Sequence, residues 1–242
     1  MIHRSPGAPF GTIPFEQDPM RWMESCESIA QPRQQRSKDA LRRIVTSAVS
    51  LFSGKGWEAT RVTDIAAHAG VPVGTVYQRF GDKEALLDTI VQAYRLYRMQ
   101  EIRELCTSPE ALAASPRELI GLHLDIVFSA FTADAGLLRL LERRRLVDAV
   151  VHKDQSDANE QVASLIGDRL VEKMPERDPV ELRRQVLYAH SIIRGAVVWS
   201  ILPSDGELGQ GLKVTDTDFA REALRMALRY LNIAEQECYN GA

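Results

Sequence analysis

The stretch EATRVTDIAAHAGVPVGTVYQRFGDKEALL, residues 58–87, decides how the rest of the chain is read. Thr60 is a helix-start signal, because its hydroxyl can accept a bond from the first free amides of a short helix carrying Val62, Ile65, Ala66 and Ala69. Gly70 breaks that helix. A third helix spans residues 72–80, where Pro72 is tolerated in the first turn since its missing donor would be unpaired there. Gly81 suits the left-handed position past its end. Asp82 then caps a long helix with Leu86, Leu87, Ile90, Val91 and Tyr94 on one face, running to about Leu105. Two short helices joined by a glycine turn have the geometry that lays a recognition helix in the DNA major groove. The same spacing also serves an ordinary three-helix piece of a larger bundle.

Upstream, Ser37 starts a helix whose apolar positions Leu41, Ile44, Val45, Ala48, Leu51 and Phe52 keep the 3.6-residue period, and Gly54 and Gly56 end it. Residues 1–33, with Pro6, Pro9 and Pro14, read as an irregular extension with room for a short helix at about 20–29. Downstream, Pro109 and Pro116 bracket a loop or short helix. Further helices are predicted near 117–132, 134–149, 155–174, 179–202 and 217–236, with breaks at Pro175, Pro179, Pro203 and the glycines 206, 209 and 211. No period-2 strand, internal repeat or low-complexity segment is present, so the fold class is all-α.

The residues of 58–87 strongly resemble the amino-terminal signature of the TetR family of transcriptional regulators. The likeness covers about 50 residues and rests on Thr60, Asp64-Ile65-Ala66, Ala69-Gly70-Val71, Gly74-Thr75, Tyr77, Phe80 and Lys83-Glu84. It implies a division into the extension 1–33, a helix-turn-helix DNA-binding domain at 34–84 and a helical effector-binding and dimerisation domain at 85–242. Ile65, Ala66, Val71, Val76 and Phe80 would close the small core that sets the angle between the two short helices. Gly74 would keep the recognition helix slim. The implied DNA-contacting residues are Thr60, Arg61, Val73, Thr75, Tyr77, Gln78, Arg79 and Lys83.

Within that set, Thr75 and Tyr77 bring hydroxyls to phosphates or base edges. The Gln78 amide suits adenine, and the Arg79 guanidinium suits guanine or a phosphate. Lys83 matches a family lysine that binds phosphate, helped by the positive end of the following helix. Arg61, Gln78 and Arg79 taken singly would also serve as solvated surface side chains. Pro72 departs from the pattern, standing where a serine often caps the helix and binds phosphate. Val73 replaces a polar residue and offers an apolar contact for a thymine methyl group. Arg33, Arg36 and Lys38 form either a minor-groove arm or a basic tail without sequence preference.

Charge is distributed to match. Residues 33–85 hold nine basic and five acidic side chains, a balance of +4, whereas the remainder holds 21 basic and 28 acidic, a balance of −7. Only the amino-terminal part is fit to meet phosphate. Cys26, Cys106 and Cys238 are too widely spaced for a metal cluster and read as reduced thiols. No metal or cofactor is expected. No apolar run reaches the roughly 20 residues that span a bilayer, and the amino terminus does not match a signal peptide, so a cytoplasmic protein without membrane contact is expected. Gly54-Lys55-Gly56 lacks the rest of a phosphate loop, and the glycines 206–211 do not follow a strand. No catalytic residues are assigned.

For the carboxy-terminal part, the likeness implies a homodimer on a palindromic operator and an unknown small-molecule effector. Residues 179–202 and 217–236 are amphipathic, the latter with Ala220, Ala223, Leu224, Ala227, Leu228 and Leu231 on one face. That stripe serves either a four-helix dimer interface or burial within one subunit. His123, Phe128, Phe131, Tyr188, His190 and Arg194 are the candidate effector contacts, with core packing as the alternative for each isolated aromatic or histidine. Arg143, Arg144 and Arg145 read as a solvated, ion-paired helix face. The resemblance leaves room for an architectural or partner-recruiting DNA-binding protein beside a ligand-responsive repressor.

Overall fold

The computed structural model describes residue 15 and residues 17–23, 35–201 and 217–234, and all regular structure among them is helical. The helices are α1 (Met20–Met23), α2 (Gln35–Lys55), α3 (Val62–Ala69), α4 (Val73–Phe80), α5 (Lys83–Thr107) and α6 (Pro109–Ala113). They continue as α7 (Pro116–Ala133), α8 (Ala135–Arg145), α9 (Ala149–Lys173), α10 (Pro179–Ile201) and α11 (Thr217–Tyr230). The expected extra breaks at 203–211 lie outside the described residues. So do the basic residue Arg33 and the thiols Cys26 and Cys238.

Two compact units divide the chain. Among the described residues, one comprises those of Thr12–Arg98 with Ala133–Asp148, and the other comprises Met99–Thr132 with those of Ala149–Ala242. In the first unit α2 buries Leu41, Ile44, Val45, Ala48, Val49 and Phe52. It packs on α3, whose Val62, Ile65, Ala66 and Ala69 are buried, and α3 packs in turn on α4. Helix α8 also lies on α2. The approach there is close: a Cβ at Gly136 would stand 2.6 Å from Ser53 Cβ and 2.7 Å from the Ser53 carbonyl oxygen.

Within the extension, the short helix expected at about 20–29 is present as α1 over Met20–Met23. Met23 of α1 is fully buried where α1 meets α2. Phe15 is also fully buried, edge-on to Tyr94 at 5.3 Å and tilted against Tyr97 at 5.9 Å. Removing such a ring from water is worth about 2–3 kcal/mol. Proline spacing shows where the chain lacks regular structure and says nothing about a single side chain that finds an aromatic partner.

In the second unit α10 packs on both α9 and α11. Ala163, Ile166 and Leu170 of α9 meet a core that includes Leu182, Val186, Ile193 and Val197 of α10, all buried. Helix α7 starts with a capping box: Ser115 N–H and Oγ donate to the Glu118 carboxylate at 2.8 and 2.9 Å, and Glu118 N–H donates back to Ser115 Oγ at 3.3 Å. These bonds, the backbone one first, hold the Glu118 carboxyl below its ordinary pKa. Helix α9 begins at Ala149 rather than 155, because the preceding turn at Leu146–Asp148 is complete and nothing interrupts the chain after it. Helix α11 stops at Tyr230, and Asn232 follows with a left-handed φ of +52°.

Candidate nucleic-acid interface

The turn between α3 and α4 is built as the glycine requires. Gly70 sits at φ +62°, ψ +42°, its N–H donates to the Ala67 carbonyl at 3.2 Å, and the Val71 N–H reaches the Ala66 carbonyl at 3.0 Å. A non-glycine residue would be strained there. Pro72 is the N-cap of α4 and makes no side-chain capping bond, as its chemistry dictates. Gly81 ends α4 at φ +84°, with its N–H on the Tyr77 carbonyl at 2.8 Å. Asp82 Oδ1 then accepts from the Ala85 N–H at 2.8 Å and caps α5.

Thr60 does not cap α3. The N-cap is Arg61, in extended backbone, whose N–H donates to Asp64 Oδ2 at 3.2 Å. Thr60 is fully buried, and its hydroxyl donates to the Gly56 carbonyl at 2.7 Å and the Leu51 carbonyl at 3.3 Å. The reason is positional: Thr60 still belongs to the turn that closes α2, and the end of that helix presents orphan carbonyls rather than amides.

Helix α4 turns Val76 inward and leaves Gly74, Tyr77 and Gln78 exposed, with Tyr77 half-exposed at 50%. Val73 and Thr75 are partly exposed, and Arg61 is exposed at the start of α3. Of the eight sequence-assigned residues, Val73, Thr75, Tyr77 and Gln78 on α4 and Arg61 at the start of α3 are therefore open to solvent at least in part. Arg79 and Lys83 are engaged within the unit. Arg79 Nη2 donates to Ser37 Oγ at 2.7 Å, and burial pushes its pKa below the ordinary guanidinium value. Lys83 Nζ donates to the Trp57 and Thr60 carbonyls, each at 2.9 Å, and lies 4.0 Å from the centre of the Trp57 ring.

A second cation shares that ring. The Arg144 guanidinium of α8 stands 5.3 Å from the Trp57 centroid and forms ion pairs with Glu84 and, at 3.7 Å, with Asp148. The side chain of Arg144 is only 16% exposed, and Arg145 pairs at 2.8 Å with Glu142, whose side chain is 1% exposed. Arg144 and Arg145 are thus ion-paired and only partly solvated, whereas Arg143 is exposed as expected. Sequence reasoning missed Trp57, Arg144 and Ser37 as parts of this region. An indole between glycine-ended helices was the available signal for Trp57, whereas Arg144 and Ser37 meet their partners only through tertiary packing.

In the second unit, α7 and α10 bring together two of the six candidate effector residues. His123 Nε2 and His190 Nδ1 are 3.1 Å apart and both rings are buried, so one nitrogen donates to the other. Phe128 and Phe131 are buried, the former edge-on to Phe219 at 5.7 Å. Tyr188 is half-exposed beside Arg184, and Arg194 is partly exposed. A cleft of about 410 Å³ opens elsewhere in this unit, lined by Arg103, Cys106, Asp168, Arg169 and Arg183 among others, and none of the six candidates lines it. Among the described residues no group of His, Cys, Asp or Glu has metal-binding geometry, and no helix is long and apolar enough to cross a membrane.

Comparison with known proteins bears on this geometry. Residues 44–90 match the model of the bacterial regulatory proteins, tetR family. The chain is 28% identical over 106 residues to the HTH-type transcriptional regulator YerO of Bacillus subtilis, covering 43% of this chain and 36% of that protein. It is 33% identical over 78 residues to the HTH-type transcriptional repressor KstR2 of Mycolicibacterium smegmatis, covering 30% of this chain and 38% of that protein. The chain thus spans less than half the length of either relative. Among solved structures, the fatty acid degradation regulator FadR from Bacillus halodurans superimposes with a TM-score of 0.58 at 18% identity, over 82% of this chain and 97% of that one. A protein from Saccharomonospora viridis solved in complex with choline superimposes with a TM-score of 0.64 at 18% identity, over 82% and 100% of the two chains. These likenesses establish the shared all-helical fold.

Proposed function

We propose, because residues 44–90 match the model of the bacterial regulatory proteins, tetR family, that this chain is a homodimeric, ligand-responsive repressor that reads a palindromic operator. The observation that carries the reading is the outer face of α4, where Tyr77 and Gln78 stand exposed while Val76 points into the core. Val73 and Thr75 flank them, Arg61 supplies a neighbouring charge, and the surrounding sequence has a local excess of positive charge. In this reading Arg61, Val73, Thr75, Tyr77 and Gln78 touch DNA. Thr60 positions the entry to α3. Arg79 and Lys83 hold the recognition helix and add their charge to the field that attracts phosphate.

Dimerisation is supported by an apolar stripe. Tyr188, Ile192 and Trp199 of α10 are 50, 53 and 68% exposed, and Met226 and Tyr230 of α11 are 42 and 44% exposed. Rows of large apolar side chains left in water mark interaction surfaces. A second copy of the same stripe is the natural cover, since a two-fold interface is self-complementary and presents two recognition helices to a palindrome.

The effector is proposed to bind at the His123–His190 imidazole pair, which supplies a polar fixture, with Phe128, Phe131, Tyr188 and Arg194 as further candidates. Binding there would act on DNA affinity by retilting α5, which follows α4 after only Gly81 and Asp82. The two recognition helices would then no longer match successive major grooves about 34 Å apart.

Selection of duplexes from a random DNA pool with the purified full chain tests this. An inverted repeat with half-sites about one helical turn apart is expected. Recovery of no preferred sequence would overturn the reading, and many unrelated sequences bound alike would favour an architectural role.

A further inference from the structure

We propose that Arg144 of α8 is a positioning residue for the DNA-reading helices, clamping α8 onto the start of α5 and onto the link between α2 and α3. This inference rests on the DNA-reading function proposed above, and it concerns residues that all belong to one compact unit.

The clamp has three contacts. Arg144 forms an ion pair with Glu84 in the first turn of α5. Its guanidinium also faces the Trp57 indole, and the same indole receives the Lys83 ammonium. Lys83 in turn donates to the carbonyls of Trp57 and Thr60, the latter immediately before the N-cap of α3. One side chain from α8 therefore bears on the residues that enter α3 and on those that leave α4. Trp57 is further fixed from below by Phe52, with ring centroids 5.4 Å apart.

Charge balance gives Arg144 a role that a packing residue would not have. The start of α5 carries Asp82, Glu84 and Asp88, and Asp148 follows α8. Burial, first of all, raises the Asp88 pKa, Arg144 opposes that rise, and Glu84, Asp148 and Asp82 reinforce it. Arg144 is thus a counter-charge from α8 to these carboxylates, paired directly with Glu84 and Asp148. Without it those carboxylates repel one another across the α5 and α8 contact and add negative potential where phosphate must approach. Arg145, its neighbour, is engaged by Glu142 on its own helix.

The test compares Arg144→Ala, Arg144→Lys and Arg144→Met in the full chain. Lysine keeps the charge and its place by the indole, whereas methionine keeps only the apolar stem. Amide hydrogen exchange is measured without DNA. Affinity is measured on the duplex recovered by selection with the unmodified chain. Exchange in residues 56–84 should rise about tenfold in the Ala and Met variants while α9 and α10 stay unchanged, and Lys should restore most of the protection. DNA affinity should fall about tenfold in the Ala and Met variants and recover with Lys. Wild-type exchange in residues 56–84 of Arg144→Ala, or wild-type behaviour of Arg144→Met, would overturn the proposal. If the unmodified chain selects no duplex, the DNA-reading function fails, and the exchange data still decide the clamp.

Discussion

The Arg79 guanidinium donates to Ser37 Oγ at 2.7 Å, a bond that joins the last turn of α4 to the first turn of α2 across 42 residues of sequence. Nη2 also approaches the Ser37 carbonyl at 3.3 Å. A partly buried bond to a charged group is worth about 1.5–3 kcal/mol, with the lower end apt for a site near water. Arg79→Ala should therefore destabilise the chain by about 1.5 kcal/mol in urea unfolding. Ser37→Ala should cost less, and the double variant should fall short of the sum by at least about 0.5 kcal/mol. Strict additivity would show that the bond is not maintained in solution.

Tyr77 presents the opposite case, a large side chain half-exposed on the same helix. Tyr77→Ala should leave unfolding free energy within about 0.5 kcal/mol of the parent, as for surface changes generally. Affinity for the selected duplex should fall by about 1–3 kcal/mol, roughly fivefold to 150-fold. Tyr77→Phe divides that loss between ring and hydroxyl. Unchanged binding in the Ala variant, measured by fluorescence anisotropy, would remove Tyr77 from the interface.

Gly136 sits where α8 meets α2, and a methyl group there would lie 2.6 Å from Ser53 Cβ and 2.8 Å from Ser53 Cα. Most of the clash is with atoms at or in the backbone, which cannot rotate away. Gly136→Ala should cost about 1–3 kcal/mol by forcing the two helices apart, despite the better helix propensity of alanine. Chemical denaturation checks this. A stabilised variant would mean that α8 is not held at this distance.

The parts legible in sequence were those that local chemistry decides. Gly70 and Gly81 take positive φ where the helix-stop signals stand, and Asp82 caps α5 as its position next to the apolar period requires. The inward positions of α2 and α3 follow the 3.6-residue period. What stayed hidden depends on partners remote in sequence. A threonine hydroxyl is a good acceptor for helix amides and an equally good donor to helix carbonyls, so Thr60 was ambiguous until the end of α2 was placed beside it. Arg79 and Lys83 have the composition of phosphate ligands, yet Ser37 and Trp57 claim them. Helix α8 meets α2 at Gly136 and meets α5 and Trp57 through Arg144, neither of which advertises a partner.

Cys106 offers a pH-dependent readout of the second unit. Burial pushes its thiol pKa up to about 11 from an ordinary 9.0, with Arg169 opposing and Asp168 and Glu172 adding to the rise. A group whose pKa is raised on folding contributes stability that is present below the unfolded value and lost as pH climbs through the folded one. The native state should therefore lose stability between about pH 9 and pH 11, and Cys106→Ala should show a shallower decline. With Cys26 and Cys238 changed to serine, iodoacetamide should modify Cys106 slowly at about pH 8 and quickly in denaturant. Rapid native labelling would contradict the burial.

The exposed stripe of α10 gives a test of assembly that is independent of DNA. Trp199 is 68% exposed and Ile192 is 53% exposed, so neither change is expected to disturb the subunit core. If a second copy covers them, Ile192→Glu combined with Trp199→Glu places four charges in a symmetric interface, where unpaired burial costs far more than the lost apolar contact. Sedimentation velocity should then report a monomer with unchanged helicity, while the parent chain sediments as a dimer. Operator affinity should fall more than for Tyr77→Ala, because loss of the second half-site removes a whole set of contacts rather than one. A monomeric parent chain, or a variant that remains dimeric, would place the self-association surface elsewhere or abolish it.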